Sequence, residues 1–247
     1  AALRDKEITL KSGADVKLTF SNGDAYTFVN GGEDSKVTLT KTDSILKVNG
    51  DITTVTAKID GNRPAKIDVA DGKTVGTITV NDGTKGTLAL TGKGTVSKLD
   101  AQGDIKVTAT DTTLTEIAVA ANKTLTTAGD IKAGKISGTG NVTAKSVTAE
   151  SVTANVTAGS LELTGSSVVV DGSNTWDVGT LKTTGALTVS DASKLKAGSI
   201  ESTGALEISD TKNTLSATNI TSGGALTIAN AGKVAEGANI KAEGGLT

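Results

Sequence analysis

The chain has 247 residues, with 25 basic and 27 acidic side chains, a net charge of −2, one proline and no Cys, His or Met. That composition excludes disulfides, thiolate and imidazole chemistry, and zinc, copper or haem sites of the usual ligand types. A sequence pI near 5.3 excludes a generally basic nucleic-acid binder, and no apolar run approaches the roughly 18 residues of a membrane span.

The chain opens Ala1-Ala2-Leu3, a small-residue junction of the kind left by removal of a secretory signal peptide. An extracellular or cell-surface location is therefore expected. Three of the four aromatic residues, Phe20, Tyr26 and Phe28, lie in the first thirty positions. Alternation in Ile8-Thr9-Leu10, Val16-Lys17-Leu18-Thr19-Phe20 and Val37-Thr38-Leu39 predicts short strands. Asn22-Gly23, Asn30-Gly31-Gly32 and Asn49-Gly50 read as the turns between them. Residues 1–50 are accordingly expected to form an N-terminal β cap, module or assembly region, and residues 51–247 a repeat region.

From about residue 52 the text repeats. A small-Gly-x-apolar lead-in recurs as Val75-Gly76-Thr77-Ile78, Ala133-Gly134-Lys135-Ile136, Ala158-Gly159-Ser160-Leu161, Val178-Gly179-Thr180-Leu181 and Ala197-Gly198-Ser199-Ile200. Between Ile136 and Leu161 the unit lengthens and becomes pentads starting at Val142, Val147 and Val152. This predicts one added strand and corner, hence a coil that bulges or gains a side. Beyond Trp176 the columns are regular. Leu181, Ile200, Ile220 and Ile240 recur at near-constant intervals, as do Leu187, Leu206, Leu226 and Leu246. Val189, Ile208 and Ile228 form a third column, and Leu195, Leu215 and Val234 a fourth.

Within a unit, apolar and polar residues alternate, as in Ala205-Leu206-Glu207-Ile208-Ser209. Period two means strands. Short strands broken by Gly, Asn, Asp and Ser, in register about every 20 residues, predict an all-β chain: a parallel β-solenoid of about ten coils, three short strands in each. At a strand spacing of about 4.8 Å such a stack would be about 45–50 Å long.

Few residues carry a chemical signature. Gly138-Thr139-Gly140 is followed by strand text where a dinucleotide site needs a helix, and Ile67 stands where the phosphate loop ending Gly72-Lys73-Thr74 needs its first Gly. The Asp-Gly pairs at 71–72, 82–83 and 171–172 read as turns, with calcium as the weak alternative; no other cofactor is expected. Trp176 falls in an inward column and is expected in the core, with Val178 beside it marking a wider coil. Lys132, Lys135, Lys145, Lys182, Lys194 and Lys196 read as a solvated exterior. Thr188, Glu207 and Thr227 break the regular threonine array that ice binding needs.

At the repeated φ-x-[ST]-x-Gly-Ala-Leu-x-[VI] units (181–189, 200–208 and 220–228), the chain resembles the haemagglutinin-type and autotransporter-type passenger solenoids of bacterial surface proteins. In composition it is similar to surface-layer and extracellular-fibre proteins, and its pentads resemble those of bactofilins, although coil length and composition fit that group less well. The resemblance covers about residues 52–247 and implies a secreted structural role.

The expectation is a self-assembling subunit of a surface layer or extracellular filament, joined head to tail through solenoid contacts and not an enzyme. Its partner is a second copy of itself, with the cell envelope or a host or matrix surface as further candidates. Ile8, Leu10, Val16 and Leu18 on one side and Leu226, Ile228, Ile240 and Leu246 on the other are the candidate assembly residues, because the sequence stops part-way through a coil. The alternative is an adhesin stalk or passenger domain of a longer protein. A polysaccharide-active enzyme comes third, for the chain has only Arg4 and Arg63, and the repeat region a single aromatic residue, Trp176, where a sugar groove uses arginines or aromatic platforms.

Overall fold

The computed structural model describes residues 7–18, 25–31, 34–40, 45–58, 64–80, 86–109, 111–229 and 234–247. The chain is an all-β parallel solenoid of about 11 turns. Among the described residues the helical structure is one 3-10 turn, Ala192–Lys194. It divides into two compact units, Ala1–Ala128 and Gly129–Thr247.

The first unit begins with β1 (Glu7–Leu10), β2 (Asp15–Leu18), β3 (Ala25–Gly31), β4 (Lys36–Thr40), β5 (Ile45–Val48) and β6 (Ile52–Lys58). It continues with β7 (Ala65–Val69), β8 (Thr74–Val80), β9 (Gly86–Thr91), β10 (Thr95–Ala101), β11 (Ile105–Ala109), β12 (Thr113–Val119) and β13 (Thr124–Thr126). Each strand pairs in parallel with the one two places on, so odd and even strands form separate ladders. Turn length varies: Lys36 lies opposite Thr54 in a short turn, and Ile52 opposite Val75 in a long one.

The even strands from β6 onward are bent. In β8, β10 and β12 the buried residues are Val75, Ile78, Val80; Val96, Leu99, Ala101; and Leu114, Ile117, Val119. Spacing of three and then two places a corner between the first and second of each set, where pairing skips Gly76, Ser97 and Thr115. A Cβ on Gly76 would stand 2.6 Å from the carbonyl oxygen of Thr53, which explains the glycine in that lead-in. One bent strand and one straight strand thus give three sides to a turn.

Coil pairing already runs through the segment expected to be a cap. β1 lies on β3 with Ile8 opposite Phe28, and β2 on β4 with Val16 opposite Val37. Pairing therefore does not change character at residue 50. Phe28, Leu46 and Val48 are fully buried inward residues like those of later turns.

The second unit contains β14 (Asp130–Gly138), β15 (Asn141–Val152), β16 (Asn155–Leu163), β17 (Ser167–Val170), β18 (Trp176–Thr183) and β19 (Ala186–Val189). After the 3-10 turn follow β20 (Leu195–Ser202), β21 (Leu206–Ile208), β22 (Asn219–Ser222), β23 (Leu226–Ile228) and β24 (Asn239–Ala242). β14, β15, β16, β18, β20, β22 and β24 pair in succession, while β17, β19, β21 and β23 form a separate four-stranded sheet.

The pentads do not build one bulging coil. Ile131 lies opposite Val147, and Val147 opposite Leu161, so two successive turns are shorter than those around them. Each pentad is one side, with a corner at Lys145 between Ala144 and Ser146. Because three pentads close a coil, the added residues start a small turn and add no fourth side. The same near-equivalence of sides shifts the lead-in at Ala133-Gly134. It matches Ala158-Gly159 in text, yet Ile136 sits opposite Val152 and not in the Leu161 column.

Later turns return to the longer repeat, with Leu161 opposite Leu181 and Leu181 opposite Ile200. They are held by side chains inside and along the corners. Thr183, Ser202 and Ser222 point inward and are buried. The Thr183 hydroxyl is 3.1 Å from Ser202 Oγ, which lies 3.1–3.4 Å from the carbonyl oxygens of Gly185, Gly204 and Ala205. Ser222 Oγ repeats this contact with Gly204, Gly224 and Ala225 at 3.1–3.2 Å. Among the described residues no buried side-chain polar atom lacks a hydrogen-bond partner, as a dry interior requires.

Candidate functional site

The ladder residues named from sequence stack in columns along the second unit, and those from Leu181 to Leu226 are buried. Leu181, Ile200, Ile220 and Ile240 stand opposite one another, as do Leu187, Leu206 and Leu226, with Val189, Ile208 and Ile228 beside them. Leu226 bridges to Leu246, and Leu195 and Leu215 precede Val234 in the fourth column. Burying a side chain of this size contributes about 1.5–3 kcal/mol. Exposure changes along two columns: Ile220 and Leu226 are 1% and 0% exposed, whereas Ile240 and Leu246 are 40% and 60% exposed.

The other candidate assembly residues are less open. Leu10 and Leu226 are buried, and Ile8, Val16 and Ile228 are half-buried. Leu18 pairs through its backbone with Leu39. The two groups of candidates belong to different compact units.

Sequence reading missed the third exposed large apolar residue, Val169, at 53% exposure. It is the centre of β17, which heads the four-stranded sheet and pairs with β19 on one side alone among the described residues. The hydrogen bonds Ala186 N–H to Ser166 O and Ser190 N–H to Val170 O fix which backbone groups face β19. In a parallel ladder the alternate residues point the other way, so the N–H and C=O of Ser167 and Val169 face the open edge. Outward positions on the same sheet continue as Thr188, Glu207 and Thr227. Val169 is the apolar one in that row.

The open edge exists because coil length changes there. Ala149 is joined to Asn155 by residues 150–154, but Leu163, which lies over Ala149, reaches Thr175 only through residues 164–174. The longer third side overhangs the shorter one and leaves a cleft of about 410 Å³. Val152, Thr153 and Thr139 line one wall, and Val169, Asp171 and Asn174 the other. Trp176 also lines the cleft, although it is 3% exposed, and stands between Val156 and Leu195 in its column. Its indole N–H donates to Ala154 O at 3.2 Å. The wide ring fills the step from a short turn to a long one, consistent with its expected place in the core.

Aspartates mark the corner after this sheet. Asp171 accepts from Ser173 N–H at 3.0 Å, and Asp191 from Ser193 N–H at 3.1 Å. Asp210 accepts from Lys212 N–H, Asn213 N–H and Ala192 N–H at 2.7, 3.0 and 2.7 Å. These bonds, Lys212 N–H first, hold the Asp210 carboxyl far below the usual carboxylate range; the Ser173 N–H does the same for Asp171 more weakly. The carboxylates serve as turn acceptors. Among the described residues no three His, Cys, Asp or Glu side chains gather as a metal site. Asp71-Gly72 is a tight turn with Gly72 at φ +68°, Asp171-Gly172 lies in this aspartate row, and Asp82-Gly83 lies outside the described residues.

The expected lysine exterior is a mixed-charge surface. Glu162, Lys182 and Glu201 alternate in register, and Lys196 pairs with Asp177 at 3.1 Å. Exposed pairs of this kind contribute little to stability. Among the described residues no helix is long and apolar enough to cross a membrane.

No protein-family model matches the chain, and no curated protein and no solved structure matches it either. What sequence and structure define together is a parallel β-solenoid with repeat-length turns.

Proposed function

We propose that this protein is a secreted structural subunit that assembles with copies of itself into a surface layer or extracellular filament, through head-to-tail contact between solenoid coils. The observation that carries the reading is the in-register stacking of parallel coils, in which Leu181, Ile200, Ile220 and Ile240 stand opposite one another and each coil covers the apolar columns of its neighbour. A coil presents along the stack the same in-register apolar columns and backbone edge that it covers on its neighbour, so a second copy can continue the ladder. A net charge of −2 offers little electrostatic resistance to such contact. The repeat style shared with bacterial surface solenoids supports a place outside the cell.

Electron microscopy of the purified chain at rising concentration tests this. Ordered filaments or sheets that disappear in the Leu246→Lys and Ile240→Lys variants are the expected result. Separate particles at every concentration would overturn self-assembly and favour the adhesin stalk, in which the same columns are covered by further repeats of one longer chain.

A further inference from the structure

We propose that the open edge of β17 is a docking site for a short extended peptide segment carrying a basic residue, added as a strand in the cleft beside Trp176. The surface is a different one from that used in self-assembly, and neither depends on the other. β17 reads Ser167-Val168-Val169-Val170, with Val168 and Val170 buried and Val169 exposed. Apolar residues on both faces belong to strands covered on both sides, and natural edges are normally protected by lysine, proline or a bulge. β17 has none of these. It offers the Ser167 and Val169 backbone groups as donors and acceptors, the requirement for recognition by strand addition.

The cleft selects the size and charge of the occupant. About 410 Å³ suits a few extended residues; it is too small for a whole coil of a second copy. Val152, Val169, Val170 and the Trp176 ring supply apolar contact, and Thr139, Thr153, Ser173 and Asn174 surround it with polar groups. Asp171 is the one charged residue in the lining and is exposed, its carboxylate directed by the Ser173 N–H. Lysine or arginine beside a β-branched residue is the complement.

Trp176 is the only tryptophan in the chain, so its fluorescence reports on the cleft directly. The probe is the synthetic peptide acetyl-Lys-Thr-Val-Thr-Val-Thr-Lys-amide, whose two lysines serve either strand direction, titrated into the full chain. A saturable fluorescence change with Kd of about 1 mM or tighter is expected. It should vanish with a peptide N-methylated at alternate residues, which keeps the side chains and loses the strand donors. Val169→Lys changes an exposed side chain and should weaken binding at least about tenfold. Asp171→Asn should abolish the preference for the lysine peptide over its glutamate counterpart. No saturable change, an equal response to the N-methylated peptide, unchanged binding in Val169→Lys, or a retained lysine preference in Asp171→Asn would each overturn the proposal. So would a dimer in sedimentation that Val169→Lys abolishes, because the edge would then belong to a second copy.

Discussion

Ala192 donates its backbone N–H to the Asp210 carboxylate across 2.7 Å, joining one coil to the next at a corner. The same carboxylate receives Lys212 N–H and Asn213 N–H from its own turn, and the residue is only 5% exposed. One acidic group therefore closes its own turn and fastens the turn before it.

That arrangement sets an acid limit. A carboxyl held below its ordinary value of 3.8 adds stability that is complete above that value and is lost as pH falls below it. The melting temperature should be flat from neutral pH down to about pH 5 and then drop through pH 4 and below. Asp210→Asn should melt lower at neutral pH and show a shallower acid limb. Parallel limbs in thermal unfolding would assign the acid sensitivity to other carboxyls.

Trp176 couples packing to one hydrogen bond. Trp176→Phe keeps most of the ring but leaves Ala154 O without its donor, at a cost of about 1–3 kcal/mol. Trp176→Ala opens a large void at the step between short and long turns and should cost about 3–5 kcal/mol. Urea midpoints of the two variants give the ratio, and equal losses would show that the ring volume is unimportant.

The glycine lead-in is a close-approach site. A Cβ on Gly179 would stand 2.5 Å from the carbonyl oxygen of Gly159, and one on Gly198 would stand 2.7 Å from that of Gly179. Both obstacles are backbone and cannot rotate away. Gly179→Ala is expected to destabilise the second unit by about 1–3 kcal/mol, read as a lower denaturation midpoint. Ala substitution at the exposed residue Thr184 serves as the neutral control.

Thr183 and Ser202 should behave as a coupled pair. Either alanine substitution removes one member of a buried hydroxyl contact and should cost about 1–2 kcal/mol. The double variant should lose less than the sum, with a coupling of at least about 0.5 kcal/mol in a double-mutant cycle. Strict additivity would show that each hydroxyl acts on the turn carbonyls alone.

Much of the fold was legible because punctuation fixes register. The Gly-Ala-Leu at 185–187 and 204–206 marks the same corner in successive turns, so Leu187 and Leu206 align by counting alone. The pentads were harder to read. Each side of a coil holds two inward residues and a corner, so Val142, Val147 and Val152 look alike whether they widen one turn or close a small one. Parity was the missed signal for the buried hydroxyls: Thr183 and Ser202 fall two positions after inward Leu181 and Ile200. In the first fifty positions Asn-Gly turns suggested a separate module, but parallel pairing such as Ile8 with Phe28 depends on contacts a full turn away along the chain. The cleft had one trace in the text. Three consecutive valines at 168–170 break the alternation that every other strand of that sheet keeps.

The pair of short turns also bears on how such a chain can lengthen or shrink through its history. One side is a single pentad, so an in-frame duplication or loss of one pentad moves the chain by a whole side and keeps inward residues inward. Coil perimeter then varies in discrete steps while the stacked columns above remain aligned. Each step leaves a ledge where a narrow turn meets a wide one, so a copying slip in the gene supplies new surface without disturbing the interior.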